Sequence, residues 1–178
     1  MLYMFLAEGF EEAEAIVPLD LLRRAEADVR TVGVDGIYVT GSHNITVKCD
    51  ITSDGIDLEK IDGVILPGGP GHRRLGESPA VLEALRVADK EKKWLAAICA
   101  APSILGQNGY LKGRKACCHP GFEERLLGAA LSDEPVVRDG RVITSRGAGT
   151  AVAFGLALVS AIVSPEKALE IERMIQCP

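Results

Sequence analysis

The stretch Trp94–Gly106, WLAAICAAPSILG, decides how this chain is read. Leu95–Ile98 is a short, unbroken apolar run, the pattern of a strand buried on both faces of a parallel sheet. Pro102 then opens a second apolar segment, Pro102–Asn108, and a proline in the first turn of a helix gives up only an N–H that has no partner there. Cys99 lies between the two. Ala97, Ala100 and Ala101 are the small neighbours that a sharp strand-to-helix turn requires. A thiol at the carboxyl end of a central strand stands where open α/β sheets bind ligands, and a helix start beside it is expected to lower its pKa toward neutrality.

The same punctuation recurs along the chain. Leu2–Ala7, Val29–Val34, Gly63–Leu66, Leu95–Ile98 and Val142–Thr144 read as strands bounded by Gly, Pro or Asp. Glu11–Ala25, Pro79–Glu91, Pro102–Asn108, Thr150–Val163 and Pro165–Ile175 read as helices. This alternation predicts an α/β fold: a mostly parallel central sheet with helices on both faces. Ile37–Cys49, turning at Gly41-Ser42, and Val136–Ser145, turning at Asp139-Gly140, read as hairpins added at the sheet edges. No repeat, low-complexity tract or long linker interrupts the 178 residues, so a single domain is expected over 1–178.

A net charge of -5, with Lys and Arg scattered in short groups, leaves no broad basic face and argues against a nucleic-acid partner. The longest apolar run, Ala151–Val163, falls short of the roughly 20 residues that cross a bilayer. The N-terminus lacks the basic region of a signal peptide, so a soluble cytoplasmic protein is expected. Five cysteines without CxxC spacing argue for reduced thiols over a disulfide framework or a zinc ribbon. Adjacent side chains on a strand point to opposite faces, so Cys117-Cys118-His119 is a poor metal site and no metal is expected.

Two glycine loops invite a phosphate reading and both fail it. Gly71 and Gly76 have the spacing of a phosphate loop, but Glu77 stands where its lysine belongs. Gly147 and Gly149 begin a dinucleotide fingerprint that Val152 breaks, so no nucleotide cofactor is expected. Pro67-Gly68-Gly69 has two readings that use the same backbone freedom: a tight turn leaving its strand, or backbone N–H groups left open to a ligand.

The carboxylates of GFEEAEAIVPLDLLRRA separate by helical position. At 100° per residue Val17, Pro18, Leu21 and Ala25 lie within about 60° of Glu14, whereas Glu12, Asp20 and Arg23 fall on the far side. Glu11 and Glu12 need no role beyond favouring the start of the helix. Glu14 projects from the middle of the apolar face, where desolvation raises its pKa and a neutral carboxyl can donate to a thiolate and move protons. Its helix leaves the same sheet edge as Cys99, which makes Glu14 the candidate general acid and base. The bland alternatives are an inert core cysteine and a helix rotated so that Glu14 reaches water. His119, between an expected strand and Pro120, is compatible with the same site. His43, at a hairpin tip, and His72, beside Arg73 and Arg74, have weaker claims, although that arginine pair can attract an anionic substrate group.

Taken in order, LAEGFEEAEAIVPLDLLRRA, VILPGGPG, AAICAAPSIL, HPGFEERL and TSRGAGTA resemble the ThiJ/PfpI superfamily, in particular its parkinsonism-associated protein deglycase branch, over nearly the whole chain. The resemblance implies a single class I glutamine amidotransferase-like domain with a flavodoxin-like three-layer sandwich, usually assembled as a homodimer. It implies Cys99 as nucleophile, Glu14 as its protonated carboxyl partner, His119 nearby, and the N–H groups of Gly69 and Ala100 facing a bound oxyanion. It further implies a small-molecule carbonyl substrate, processed by a glutathione-independent glyoxalase or deglycase, and it leaves a redox sensor or chaperone-like stress protein as the alternative. One departure bears on this. The peptidase branch carries histidine directly after its nucleophile, and here Ala100 stands there, which makes a cysteine peptidase or amidase the weaker reading.

Overall fold

The computed structural model describes residues 1–177. The first half of the chain contains β1 (Leu2–Leu6), α1 (Glu12–Arg24), β2 (Val29–Gly33), β3 (Tyr38–Thr40), β4 (Thr46–Lys48), β5 (Ile51–Thr52), β6 (Gly63–Leu66), α2 (His72–Glu77) and α3 (Pro79–Lys90). The second contains β7 (Trp94–Ile98), α4 (Pro102–Gln107), β8 (Lys115–Ala116), β9 (Ala130–Leu131), β10 (Val136–Asp139), β11 (Val142–Ser145), α5 (Ala151–Ile162) and α6 (Pro165–Met174).

The central sheet runs β10-β11-β7-β6-β1-β2-β5, with only the β10–β11 pair antiparallel. The chain steps from β1 outward through β2 to β5, returns to the other side of β1 at β6, and continues through β7 to β11. The reversal between β1 and β6 opens a crevice at the carboxyl ends of the strands, the place where such sheets take ligands.

Strand alternation divides the core. Tyr3 and Phe5 of β1 face a cluster that includes Leu75, Leu85 and Ile104 from α2, α3 and α4. Leu2, Met4 and Leu6 face the opposite cluster, which includes Leu22, Phe154, Leu158 and Ile171 from α1, α5 and α6. The sheet is therefore covered on both sides, and its middle strands read as continuous apolar runs because neither face meets water. This is the expected flavodoxin-like three-layer sandwich.

Three features depart from expectation. β10 and β11 do form an antiparallel edge of the main sheet, but β3 and β4 pair in a two-stranded sheet of their own. The hairpin Ile37–Cys49 is thus not an edge addition; its backbone is spent on the loop after β1, through Gly9 N–H to Thr40 O at 2.8 Å and Ser42 N–H to Phe10 O at 2.8 Å. The segment after Gly71, read as a glycine loop, contains the short helix α2, and β8 and β9 add a two-residue parallel pair. Among the described residues no helix is long and apolar enough to cross a membrane.

Candidate active site

Cys99 is the first residue beyond β7 and has a backbone φ of +65°. Its N–H donates to Ser145 O at the end of β11, at 2.9 Å, and its carbonyl accepts the His119 N–H at 2.8 Å. A left-handed conformation costs a non-glycine residue about 1–2 kcal/mol, and it persists only where the surroundings over-determine it. Here two hydrogen bonds to separate segments hold the turn, and the thiol is left partly accessible at the crevice.

Glu14 lies in the first turn of α1 and is 1% exposed. Its Oε2 accepts the N–H of Gly68 at 2.9 Å. The loop after β6 is stitched to the loop after β1 by Glu11 N–H to Gly68 O at 3.2 Å and Gly71 N–H to Gly9 O at 2.9 Å. Glycine is required twice in this crossing. A Cβ on Gly68 would lie 2.7 Å from Glu14 Oε2, 2.7 Å from Cys99 Cβ and 3.1 Å from Cys99 Sγ. Gly69 has φ +76°, and a Cβ there would fall 2.5 Å from Glu11 N. Of the two readings of Pro67-Gly68-Gly69, the structure shows the tight crossing, with the Gly68 N–H bonded to Glu14.

Burial raises the pKa of Glu14, against the lowering effect of hydrogen bonds from Cys99 and the Gly68 N–H. Burial, the negative charge of Glu14 and the hydrogen bond to it push the Cys99 thiol up to about 12, while the N–H groups of Gly69 and Ala100 pull it down. The expected acidification by a helix start is therefore corrected. α4 begins three residues later, at Pro102, and is only six residues long, whereas burial and the Glu14 carboxylate act on the thiol directly. The two groups are coupled through their charges. A proton on Glu14 removes the charge that opposes the thiolate and leaves the Gly69 and Ala100 donors to favour it.

The ring of His119 lines the same cavity, and its Nδ1 donates to the Pro120 carbonyl at 2.9 Å. The cavity, about 380 Å³, is also bounded by Gly69, Ala100, His72, Arg73 and Phe122. His72 is buried and bonds through Nδ1 to the Gly69 carbonyl at 2.8 Å. Burial, opposed by that bond and reinforced by Arg73 and Arg125, lowers its pKa and favours the neutral ring. Phe122 stands edge-on to both imidazoles, 5.4 Å from His72 and 6.3 Å from His119 between ring centres. Phe122 was not legible as a site residue, because nothing in GFEER distinguishes a cavity wall from an ordinary loop aromatic. A hollow of about 410 Å³ at the opposite ends of the strands, beside Met1, Asp62 and Lys93, contains no cysteine or histidine.

Glu12 corrects another expectation. It faces neither water nor the helix dipole alone, being 8% exposed, and it clasps the β3–β4 turn. Its carboxylate accepts the His43 N–H at 2.7 Å and pairs with His43 Nδ1 at 3.0 Å. With Glu11 these groups form the one trio of metal-capable side chains among the described residues, their ligand atoms lying within 4.8 Å of one another. Its hydrogen bonds to the hairpin account for the Glu12 carboxylate without an ion. Cys117 is buried against Thr144, with Sγ 3.7 Å from Oγ1.

The profile of the DJ-1/PfpI family matches residues 1–161. A protein of Pyrococcus horikoshii named a deglycase is 34% identical over 149 residues, covering 82% of this chain and 90% of that one. One of Caenorhabditis elegans named a glutathione-independent glyoxalase is 34% identical over 162 residues, covering 90% and 87%. The crystal structure of Drosophila melanogaster DJ-1beta superposes with a TM-score of 0.93 at 34% identity, covering 99% of this chain and 97% of that one.

Proposed function

The chain belongs to the DJ-1/PfpI family, and from that premise we propose that it is a cysteine-dependent enzyme of small reactive carbonyls, converting 2-oxoaldehydes to 2-hydroxy acids without glutathione or acting as a related deglycase. The observation that carries this reading is the union of the Cys99 thiol, the buried Glu14 carboxyl and two backbone donors at one end of a small cavity.

In this mechanism the thiol proton passes to Glu14 as Sγ bonds to the aldehyde carbon. The carbonyl π pair moves to oxygen, which the Gly69 and Ala100 N–H groups receive, and the proton returns from Glu14 to give a hemithioacetal. Glu14 then removes the hydrogen on that carbon as a proton. The resulting enediolate is reprotonated by Glu14 at the neighbouring carbon, while the hydroxyl proton moves to the neighbouring oxygen. The product is a thioester: one carbon has been oxidised and its neighbour reduced, with no outside oxidant. Water adds to the thioester, with His119 Nε2 as its base, and breaks the C–S bond to release the hydroxy acid and the thiol.

The test is lactate formation from methylglyoxal by the wild type, Cys99→Ala and Glu14→Gln. Turnover by the wild type and its loss in both variants is expected. Turnover that survives removal of Cys99 overturns the mechanism.

A second reading, a redox sensor, is favoured by the accessibility of Cys99 relative to the buried thiols Cys49, Cys117 and Cys118. It uses the same sulfur, oxidised by peroxide to sulfinate, and is compatible with the first.

A further inference from the structure

The cavity at Cys99 does not end at its own wall. A second hollow of about 290 Å³ shares His72 and Arg73 with it and continues toward Ser103, Gln107 and Arg125. Its lining is predominantly polar, whereas the floor around the thiol is apolar. Arg73 and Arg125 make no ion pair among the described residues, unlike the neighbouring Arg74, which pairs with Asp35 at 3.3 Å. Arg125 is held in place without a carboxylate: its guanidinium carbon lies 5.5 Å from the centre of the Phe122 ring, the same ring that walls the first cavity. Two cations thus stand along one continuous cleft whose other end is the nucleophile. Glu77 also lines the second hollow and pairs with neither arginine among the described residues.

We infer that Arg73 and Arg125 form an anion subsite that selects substrates bearing a carboxylate or phosphate at the end remote from the reactive carbonyl. Guanidinium groups suit this task because they are weakly hydrated and offer paired N–H donors that match both anions. The inference rests on the enzymatic reading above and names its substrate class: 2-oxoaldehydes with an anionic tail. His72 lines both hollows as a neutral ring bonded to the Gly69 carbonyl, so the positive charge along them is that of Arg73 and Arg125.

The test compares kcat/KM for 4,5-dioxopentanoate, its uncharged terminal amide, and 3-phosphooxy-2-oxopropanal, in the wild type and in the Arg73→Gln/Arg125→Gln double variant. The wild type is expected to favour an anionic substrate over the amide by about tenfold or more, a preference worth about 1.4 kcal/mol. In the double variant that ratio is expected to fall to near one. The carboxylate and phosphate arms identify which anion the cleft takes. Turnover of the amide with no anionic preference, or a preference that survives in the double variant, overturns the subsite while leaving the enzyme reading standing. Should no substrate turn over, the enzyme reading fails, and alkylation of Cys99 decides the subsite. 3-Maleimidopropionate is compared with its amide by peptide mapping, and a rate ratio unchanged in the double variant overturns it.

Discussion

Glu14 Oε2 accepts the backbone N–H of Gly68 at 2.9 Å, and that bond fixes a buried acid of the first helix against a thiol that follows the seventh strand. The contact is a product of topology. β1 and β6 are sheet neighbours, so the loops leaving them meet, and Cys99 at the end of β7 is one strand further along. Replacing Gly68 by alanine puts a methyl 2.7 Å from the carboxylate oxygen and 3.1 Å from the sulfur. Gly68→Ala is expected to reduce methylglyoxal turnover by at least about a hundredfold, the lower end of what a positioned acid–base contributes, while circular dichroism stays native. Full activity in a folded Gly68→Ala protein would contradict the pairing.

The left-handed turn at Cys99 makes a prediction about stability alone. Cys99→Ala and Cys99→Gly both delete the thiol, but at φ +65° alanine retains the steric cost and glycine does not. Cys99→Gly is expected to melt higher than Cys99→Ala, by the equivalent of roughly 1 kcal/mol. Equal melting temperatures would show that the turn is unstrained.

Glu14 was legible because its neighbours at i+3, i+4 and i+7 are Val17, Pro18 and Leu21: a charge inside an apolar stripe is visible without coordinates. The strand-turn-helix punctuation around Cys99 and the PGG loop were visible for the same reason, since each is local. What was not visible is set by contacts between distant segments. Glu12 sits on the polar side of its helix by angle, yet the β3–β4 turn folds over it, and no local pattern reports that. The acidity expected for Cys99 failed because burial and the Glu14 charge, both set by segments distant in the chain, push the thiol up. Phe122 and Arg125 come together with His72 and Arg73 across about 50 residues of chain, which periodicity does not address.

Burial sorts the five thiols. Cys49, Cys117 and Cys118 are 2%, 1% and 6% exposed. Cys99 and Cys177 remain partly accessible. Native protein treated with excess iodoacetamide is expected to add two labels by intact mass, and unfolded protein five. Graded peroxide is expected to add oxygen first at Cys99 and to lose that product in Cys99→Ser. Early labelling or oxidation of Cys117 would place the accessible thiols elsewhere.

The clasp between Glu12 and His43 predicts a pH window for stability. Burial pushes the Glu12 carboxyl up, but hydrogen bonds from the His43 side chain and from backbone N–H groups outweigh it and hold it at about 2, below its ordinary 4.5. A depressed carboxyl contributes stability that is present above the unfolded value and lost as pH falls from 4.5 toward about 2. His43 moves the other way: its hydrogen bond to Glu12 and the charges of Glu11 and Glu12 raise it above 6.5. Its contribution is complete below 6.5 and disappears as pH rises through the raised value. The difference in melting temperature between wild type and Glu12→Gln is therefore expected to be largest, a few degrees, between pH 4.5 and 6.5, and to shrink on both sides. His43→Ala should remove the alkaline limb while keeping part of the acid one, because the backbone donors of residues 43 and 45 still reach the carboxylate. A melting difference that does not vary with pH would mean that Glu12 acts through packing rather than charge.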